Sequence, residues 1–303
     1  MSRATNGHRP YAYQTLMAVD GLPEALSVPT GAGKTLAAVL GWLFRRRFHP
    51  DLQVRAATPR WLVYILPMRT LVEQVHDVVG RWLDNLGLED EVGLYRVMGG
   101  EGRIDAGWRR HLESDAIFIG TLDMIISRQL NRGYGESRYI WPIDFGLFNN
   151  GCHFVYDEVQ LMGAALPTSR QLHGLRPVLG TALPCTATWM SATLDPSRLA
   201  TVDAPPVISM VELTEEDRRG NLAVRLDAVK TVRKIEVDDP KRHTTTLGHS
   251  ALSNHRPGSL TLVIANTVER ARSVLQAIDS ARPDAELVLL HSRFRPGDRA
   301  AHT

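Results

Sequence analysis

The stretch VPTGAGKT, Val28 to Thr35, decides how the rest of the chain is read. A short apolar run, EALSV at 24–28, leads into it, and a stretch with helical spacing, 34–47, leads out. Strand, glycine loop and helix start is the order in which backbone N–H groups and a helix N-terminus form an anion nest. Gly31 and Gly33 permit backbone angles and a close approach that a Cβ would block. Lys34 offers a compact charge to β and γ phosphates, and Thr35 offers a hydroxyl to Mg²⁺. The strict pattern G-x-x-x-x-G-K-[ST] asks for glycine where Val28 stands. Here the cradle begins at Thr30-Gly31, with Ala32 between the two glycines. The competing explanation is a glycine turn that only opens a helix. Of the 35 basic residues four are lysine, and Lys34 is the only lysine in the first 229 positions. An arginine fork is a poorer substitute for such a point contact, which favours the phosphate reading.

The 303 residues, 44% hydrophobic and 22% charged, suffice for roughly two domains of about 150 residues. A net charge of +2 argues against a broad cationic surface for nucleic acid, although a local basic groove is compatible with it. Cys152 and Cys185, the only cysteines, lie far apart in sequence with no CxxC spacing. A disulfide framework or cysteine zinc site is not expected, and a reducing cytoplasm is. No uninterrupted apolar run reaches the ~20 residues of a membrane span, and the polar N-terminus lacks a signal-peptide core.

Outward from the glycine loop, β-rich apolar runs alternate with helical patterns. Strands are expected at 24–28, 61–66, 116–119, 153–156, 186–190, 260–265 and 286–290, with two more at 207–213 and 222–237. Helices are expected at 34–47, 70–86, 121–131 and 267–281. Continuous apolar strands separated by helices imply an α/β fold, a parallel sheet covered on both faces. A domain boundary is expected at 205/206, giving one domain over 1–205 and part of a second over 206–303.

FVYDEVQ, 154–160, is an apolar strand ending in Asp157 and Glu158. Carboxylates at a strand's C-terminal edge sit where doubly wound sheets bind ligands. Asp157 can hold Mg²⁺ and Glu158 can orient an attacking water. A DE pair after a strand is more often a solvated loop charge, but with the Lys34 loop it forms a constellation for ATP hydrolysis.

Tyr13-Gln14, PTGAGKT, PMRTLVEQ, GTLDM, DEVQ, SATL and LHSRF follow in this order. The series resembles the motifs of superfamily 2 helicases. More narrowly, DEVQLM, SATL and LHSRFRPGDR resemble the CRISPR-associated helicase of type I interference systems. That resemblance implies a RecA-like ATP-binding domain, then a partial second one, forming an ATP-driven single-stranded DNA translocase. It also implies a Cascade complex as partner and an HD nuclease on another chain or a lost C-terminal part. Carried over by position, Gln14 would read the adenine edge, with Tyr11 or Tyr13 against the base. Thr30, Gly31, Ala32, Gly33, Lys34 and Thr35 would bind nucleotide and metal, and Ser191 and Thr193 would couple nucleotide state to nucleic acid. Arg69, Thr70, Gly120 and Thr121, at starts of helices that follow strands, would grip DNA phosphates, as would Asn266 and Thr267. For Asn266 and Thr267 a plain helix cap explains the residues equally.

The box reads Asp157-Glu158-Val159-Gln160 where the family often has DEAD or DEAH. Nothing after Arg299 supplies the family's arginine finger, so low DNA-stimulated turnover is expected if Thr303 ends the protein. His76-Asp77 is an HD pair on a helix without further ligands at suitable spacing, and a solvated face is expected there. Two alternatives remain: another superfamily 2 helicase acting on DNA or RNA, or an inactive nucleotide-binding fragment.

Overall fold

The computed structural model describes residues 1–99, 107–204, 206–207, 209–219, 221–229, 231–237, 239–281, 283–291 and 293–294. The chain divides into two compact units, Met1–Ala228 and Val229–Thr303. The expected boundary at 205/206 lies upstream of this division.

In the first unit the elements follow in the order α1 (Ala12–Val19), β1 (Ala25–Ser27), α2 (Lys34–Leu43), α3 (Leu52–Ala57), β2 (Trp61–Leu66), α4 (Arg69–Leu86) and β3 (Val92–Val97). They continue with β4 (Asp115–Thr121), α5 (Leu122–Gln129), α6 (Trp141–Leu147), β5 (Cys152–Tyr156), α7 (Ala165–Leu179), β6 (Thr186–Ser191), β7 (Met210–Glu212) and α8 (Asn221–Leu226). The seven strands form one sheet in the order β3-β4-β2-β5-β6-β1-β7, and each pairing is parallel.

The run WLVYIL shows why the central strands are apolar throughout. Leu62, Tyr64 and Leu66 enter one core with Leu40 of α2 and Val72 and Val79 of α4. Trp61, Val63 and Ile65 enter the other with Ile125 and Ile126 of α5 and Leu166 of α7. Side chains alternate across a strand, so a sheet covered on both faces needs apolar residues at every step. β3 has four partly exposed residues between buried ends, as suits a strand at the sheet's margin.

Several arginines behind α2 have specific partners. Arg46 Nε donates to Asp115 Oδ1 at 2.7 Å, and Arg47 Nη1 to Asp115 Oδ2 at 3.2 Å. They fasten the chain after α2 to the start of β4, beyond what favourable charge at a helix end would do.

The second unit contains α9 (His243–Asn254) and α10 (Val268–Ser280), which pack together through Gly248, Val274 and Ile278. The expected strands at 260–265 and 286–290 are not formed among the described residues. Leu260 and Leu262 lie 93% and 75% exposed, so their apolar character is not used for packing. A strand needs a neighbour for its N–H and C=O groups, and none is present here among the described residues. The strand expected at 222–237 is also corrected: its first part is α8. Leu222 and Leu226, one helical turn apart, both meet the first core. Ser292 and residues 295–299 of LHSRFRPGDR lie outside the described residues. No helix among the described residues is long and apolar enough to cross a membrane, and both cysteines are free.

Candidate functional site

Because the strands are parallel, their C-terminal ends lie along one edge. Reading along it, β4 ends at Thr121, β2 leads to Arg69 and Thr70, β5 leads to Asp157, β6 ends at Ser191 and β1 leads into the glycine loop. The expected phosphate and metal residues therefore gather beside β5, β6 and β1, and the expected nucleic-acid residues of this unit beside β4 and β2.

Val28 departs from the strict loop pattern because it completes the sheet. Its side chain is fully buried, and its N–H donates to Ser191 O at 3.1 Å. The loop turns after it, with Ala32 N–H donating to Pro29 O at 3.3 Å. Gly31 and Gly33 take φ of +83° and +82°, in the left-handed region that favours glycine. A Cβ on Gly33 would also lie 2.6 Å from Gln14 Nε2. Left-handed Gly33 caps α2 and directs the first helical residue, Lys34, inward.

Lys34 Nζ is buried and has no hydrogen-bond partner. Its nearest anion is Glu158 Oε1 at 3.6 Å. An ammonium held in this way leaves an anion requirement that a phosphate would fill, since a buried charge without partners is costly. Glu158 has φ of +52°, an uncommon conformation for a side chain with a Cβ, placed where the chain leaves β5. Its other oxygen, Oε2, accepts from Gln160 Nε2 at 2.6 Å. Gln160 Oε1 in turn accepts from Ser191 Oγ at 2.7 Å, and Ser191 Oγ accepts from Thr193 N at 3.1 Å. Lys34, Glu158, Gln160, Ser191 and Thr193 thus form one polar chain from the loop to the end of β6.

Asp157 and Thr35 meet through Tyr64, which donates to Asp157 Oδ2 at 2.6 Å and lies 3.1 Å from Thr35 Oγ1. Burial, then the neighbouring Asp157 charge, pushes the Tyr64 phenol well above its usual range, so it remains a donor. Burial also raises the Asp157 carboxyl, opposed by the Tyr64 hydrogen bond and by the Lys34 charge. A hydroxyl and a carboxylate are hard oxygen donors that suit Mg²⁺, so the residues present fit this ion.

Of the residues expected at the base, Tyr13 and Gln14 lie against the glycine loop. Tyr13 is fully buried, with its hydroxyl donating to Ala32 O at 2.6 Å. No ring face is left for adenine. Gln14 is 2% exposed; its Oε1 accepts from Tyr11 N at 2.9 Å and its Nε2 donates to Gly33 O at 3.1 Å. Both ends of the amide serve the start of α1 and the glycine loop, so the pair braces the loop from below. Tyr11 stays partly exposed and stacks on Tyr13, with ring centroids 6.3 Å apart.

Arg69 and Thr70 occupy the first turn of α4, whose leading amides have no side-chain cap. Thr121 stands before α5, likewise without a side-chain cap bond. Gly120 is explained differently. It lies inside the β4 ladder, where a Cβ would meet Val97 O at 2.6 Å. In the second unit Thr267 Oγ1 accepts from Arg270 N at 3.2 Å, and Asn266 Oδ1 accepts from Arg270 Nη1 at 3.0 Å. The first contact is the helix cap, seated on Thr267, and the second joins two side chains. His76 and Asp77 lie on α4 with side chains 3.7 Å apart. Among the described residues no group of three possible metal ligands occurs.

Three residues escaped sequence reasoning. Tyr64 carried one signal: a tyrosine within a fully buried strand needs a partner for its hydroxyl. Arg225, from a segment read as a strand, donates to Gly31 O at 3.0 Å. Asp217, buried, accepts from Tyr13 N at 3.3 and 3.2 Å; nothing in the local sequence links these two positions.

Residues 12–202 match the DEAD/DEAH box helicase family. Among solved structures, the chain is similar to the DUF1998 helicase MrfA bound to DNA, with a TM-score of 0.58, 16% identity, and coverage of 89% of this chain and 36% of that one. It is also similar to the Mycobacterium smegmatis helicase Lhr bound to ssDNA and AMP-PNP, with a TM-score of 0.60, 17% identity, and coverage of 99% of this chain and 38% of that one. At these identities the likeness is one of fold, and the chain spans less than two-fifths of the length of either relative. A comparison with curated proteins found no significant match.

Proposed function

Since the chain belongs to the DEAD/DEAH box helicase family, we propose that its first unit binds and hydrolyses ATP and couples this to movement on single-stranded DNA. One observation carries the reading: Lys34, Thr35, Asp157 and Glu158, from two separate segments, converge at one edge of the sheet around a buried ammonium without a hydrogen bond.

Lys34 would bind the β and γ phosphates, with the amides of the loop and of the α2 N-terminus around them. Thr35 and Asp157 would hold Mg²⁺, which supplies charge neutralisation on the transferring phosphoryl group. Phosphate at Lys34 competes with Glu158 for the ammonium. Glu158, once released, is placed to orient the attacking water. A movement of Glu158 is passed to Gln160 and Ser191 by direct hydrogen bonds. Arg69, Thr70 and Thr121 would hold nucleic-acid phosphates beside β2 and β4, a grip on backbone that suits any base sequence.

The motif order and DEVQLM–SATL support the narrower reading, a helicase of a type I CRISPR interference system working in the cytoplasm with a Cascade complex and an HD nuclease. The relatives bound to DNA favour DNA over RNA as the nucleic acid. The test is ATP hydrolysis with and without single-stranded DNA or RNA. Specific binding of ATP lost in Lys34→Ala, with turnover raised more by DNA than RNA, is the expected outcome. A wild-type chain that binds no nucleotide would overturn the proposal.

A further inference from the structure

We propose that Tyr64 is a positioning residue for the metal: its hydroxyl sets the direction in which Thr35 and Asp157 present their lone pairs. The inference rests on the nucleotide-site reading above.

The phenol has one proton and two oxygen neighbours. The shorter contact, 2.6 Å, is to the Asp157 carboxylate, a charged acceptor that takes the proton in preference to a neutral hydroxyl. The phenol oxygen then accepts, and the partner able to donate to it is Thr35 Oγ1 at 3.1 Å. Donation in this direction fixes the Thr35 hydrogen toward Tyr64. Both lone pairs of the threonine oxygen are thereby left for a cation. Asp157 is anchored at its other oxygen by Glu158 N at 2.8 Å. Its carboxylate plane is held from two sides, with lone pairs remaining on both oxygens.

The phenol reaches this position from β2, two strand residues before the segment that leads to Arg69 and Thr70. The ring is fully buried in the core beneath α2. A rigid ring on a central strand can orient two ligands that come from different segments, α2 and the end of β5. Partners of this kind typically alter metal affinity about 10- to 100-fold when removed.

The test is Tyr64→Phe, which keeps the ring and removes the hydroxyl. Binding of a fluorescent ATP analogue is titrated in EDTA and again across a Mg²⁺ series, with thermal melting as a check on folding. The expected result is an unchanged metal-free Kd and a rise of about tenfold or more in the Mg²⁺ concentration needed to tighten binding. A residue that only supports the core would weaken both conditions together. Equal Mg²⁺ dependence in wild type and Tyr64→Phe, or equal losses in both conditions, would overturn the inference. If the wild type bound no nucleotide at all, the nucleotide-site reading itself would fall, a distinct outcome. A Tyr64→Phe chain too unstable to assay is replaced by Tyr64→Leu, which also removes the hydroxyl and keeps a buried apolar side chain at the position. That variant should show the same Mg²⁺-selective loss, and an unchanged Mg²⁺ dependence would count against the proposal.

Discussion

Gly33 is where the residue scale is sharpest. Its φ of +82° costs a residue with a Cβ about 1–2 kcal/mol. A Cβ would also meet Gln14 Nε2 at 2.6 Å. Gly33→Ala should therefore lower stability through two separable causes. Adding Gln14→Ala should restore the steric part and leave the backbone part, which a double-mutant cycle in urea would show as coupling between the positions. Strict additivity would mean that the contact does not matter. Gln14, three residues after the aromatic start of α1, lies between that start and the loop. A capping box and a loop brace use both ends of one amide. Lys34→Ala, by contrast, removes a charge that takes part in no hydrogen bond. It should abolish nucleotide binding without lowering the melting temperature, as equilibrium dialysis and calorimetry would check.

At the scale of elements, the segment between α5 and β5 is held by a buried charge network. Asp144, fully buried in α6, accepts from Arg109 Nε and Nη2, both at 2.8 Å, and from Arg128 Nε at 3.2 Å. Arg128 is 1% exposed and also donates to Met124 O and Glu136. Asp144→Ala would leave a buried guanidinium uncompensated, and such losses cost about 3–5 kcal/mol. Denaturant unfolding should show a destabilisation of that order; a loss under about 1 kcal/mol would mean that water or Glu136 replaces the carboxylate. None of this was legible beforehand, because the participants come from four segments whose spacing has no regular pattern. α7 was missed for a local reason: Pro177 interrupts its pattern. β3 was missed because VGLYRV lacks the continuous apolar run of a central strand. The five central strands were legible since a parallel sheet covered on both faces demands apolar side chains at every position.

Across the whole molecule, acid sensitivity follows from two imidazoles on the sheet and its covering helix. Burial lowers the His153 pKa to about 3 and that of His173 to about 4, below the ordinary 6.5. The folded state thus binds fewer protons than the unfolded chain between these values. Stability is fully present above pH 6.5 and falls as the pH drops toward 3 to 4, with a slope approaching about 1.4 kcal/mol per pH unit for each group. Urea unfolding at pH 7 and pH 5 should show this loss, and His153→Asn should flatten part of it. A stability profile unchanged between those pH values would contradict the neutral, buried state of both rings. The sequence by itself determined the α/β alternation, the glycine loop and the acidic end of β5, because each is written in neighbouring residues and periodicity. It also named Lys34, Thr35, Asp157 and Glu158. Only the tertiary structure decided that Tyr64 joins two of them, that Gln14 and Tyr13 brace the loop, that Arg225 reaches Gly31, and that 260–265 forms no strand. Those outcomes depend on which distant segment lies alongside. A strand without a neighbour keeps its pattern but loses its hydrogen bonds, whereas a tyrosine hydroxyl acquires its meaning from the two oxygens it meets.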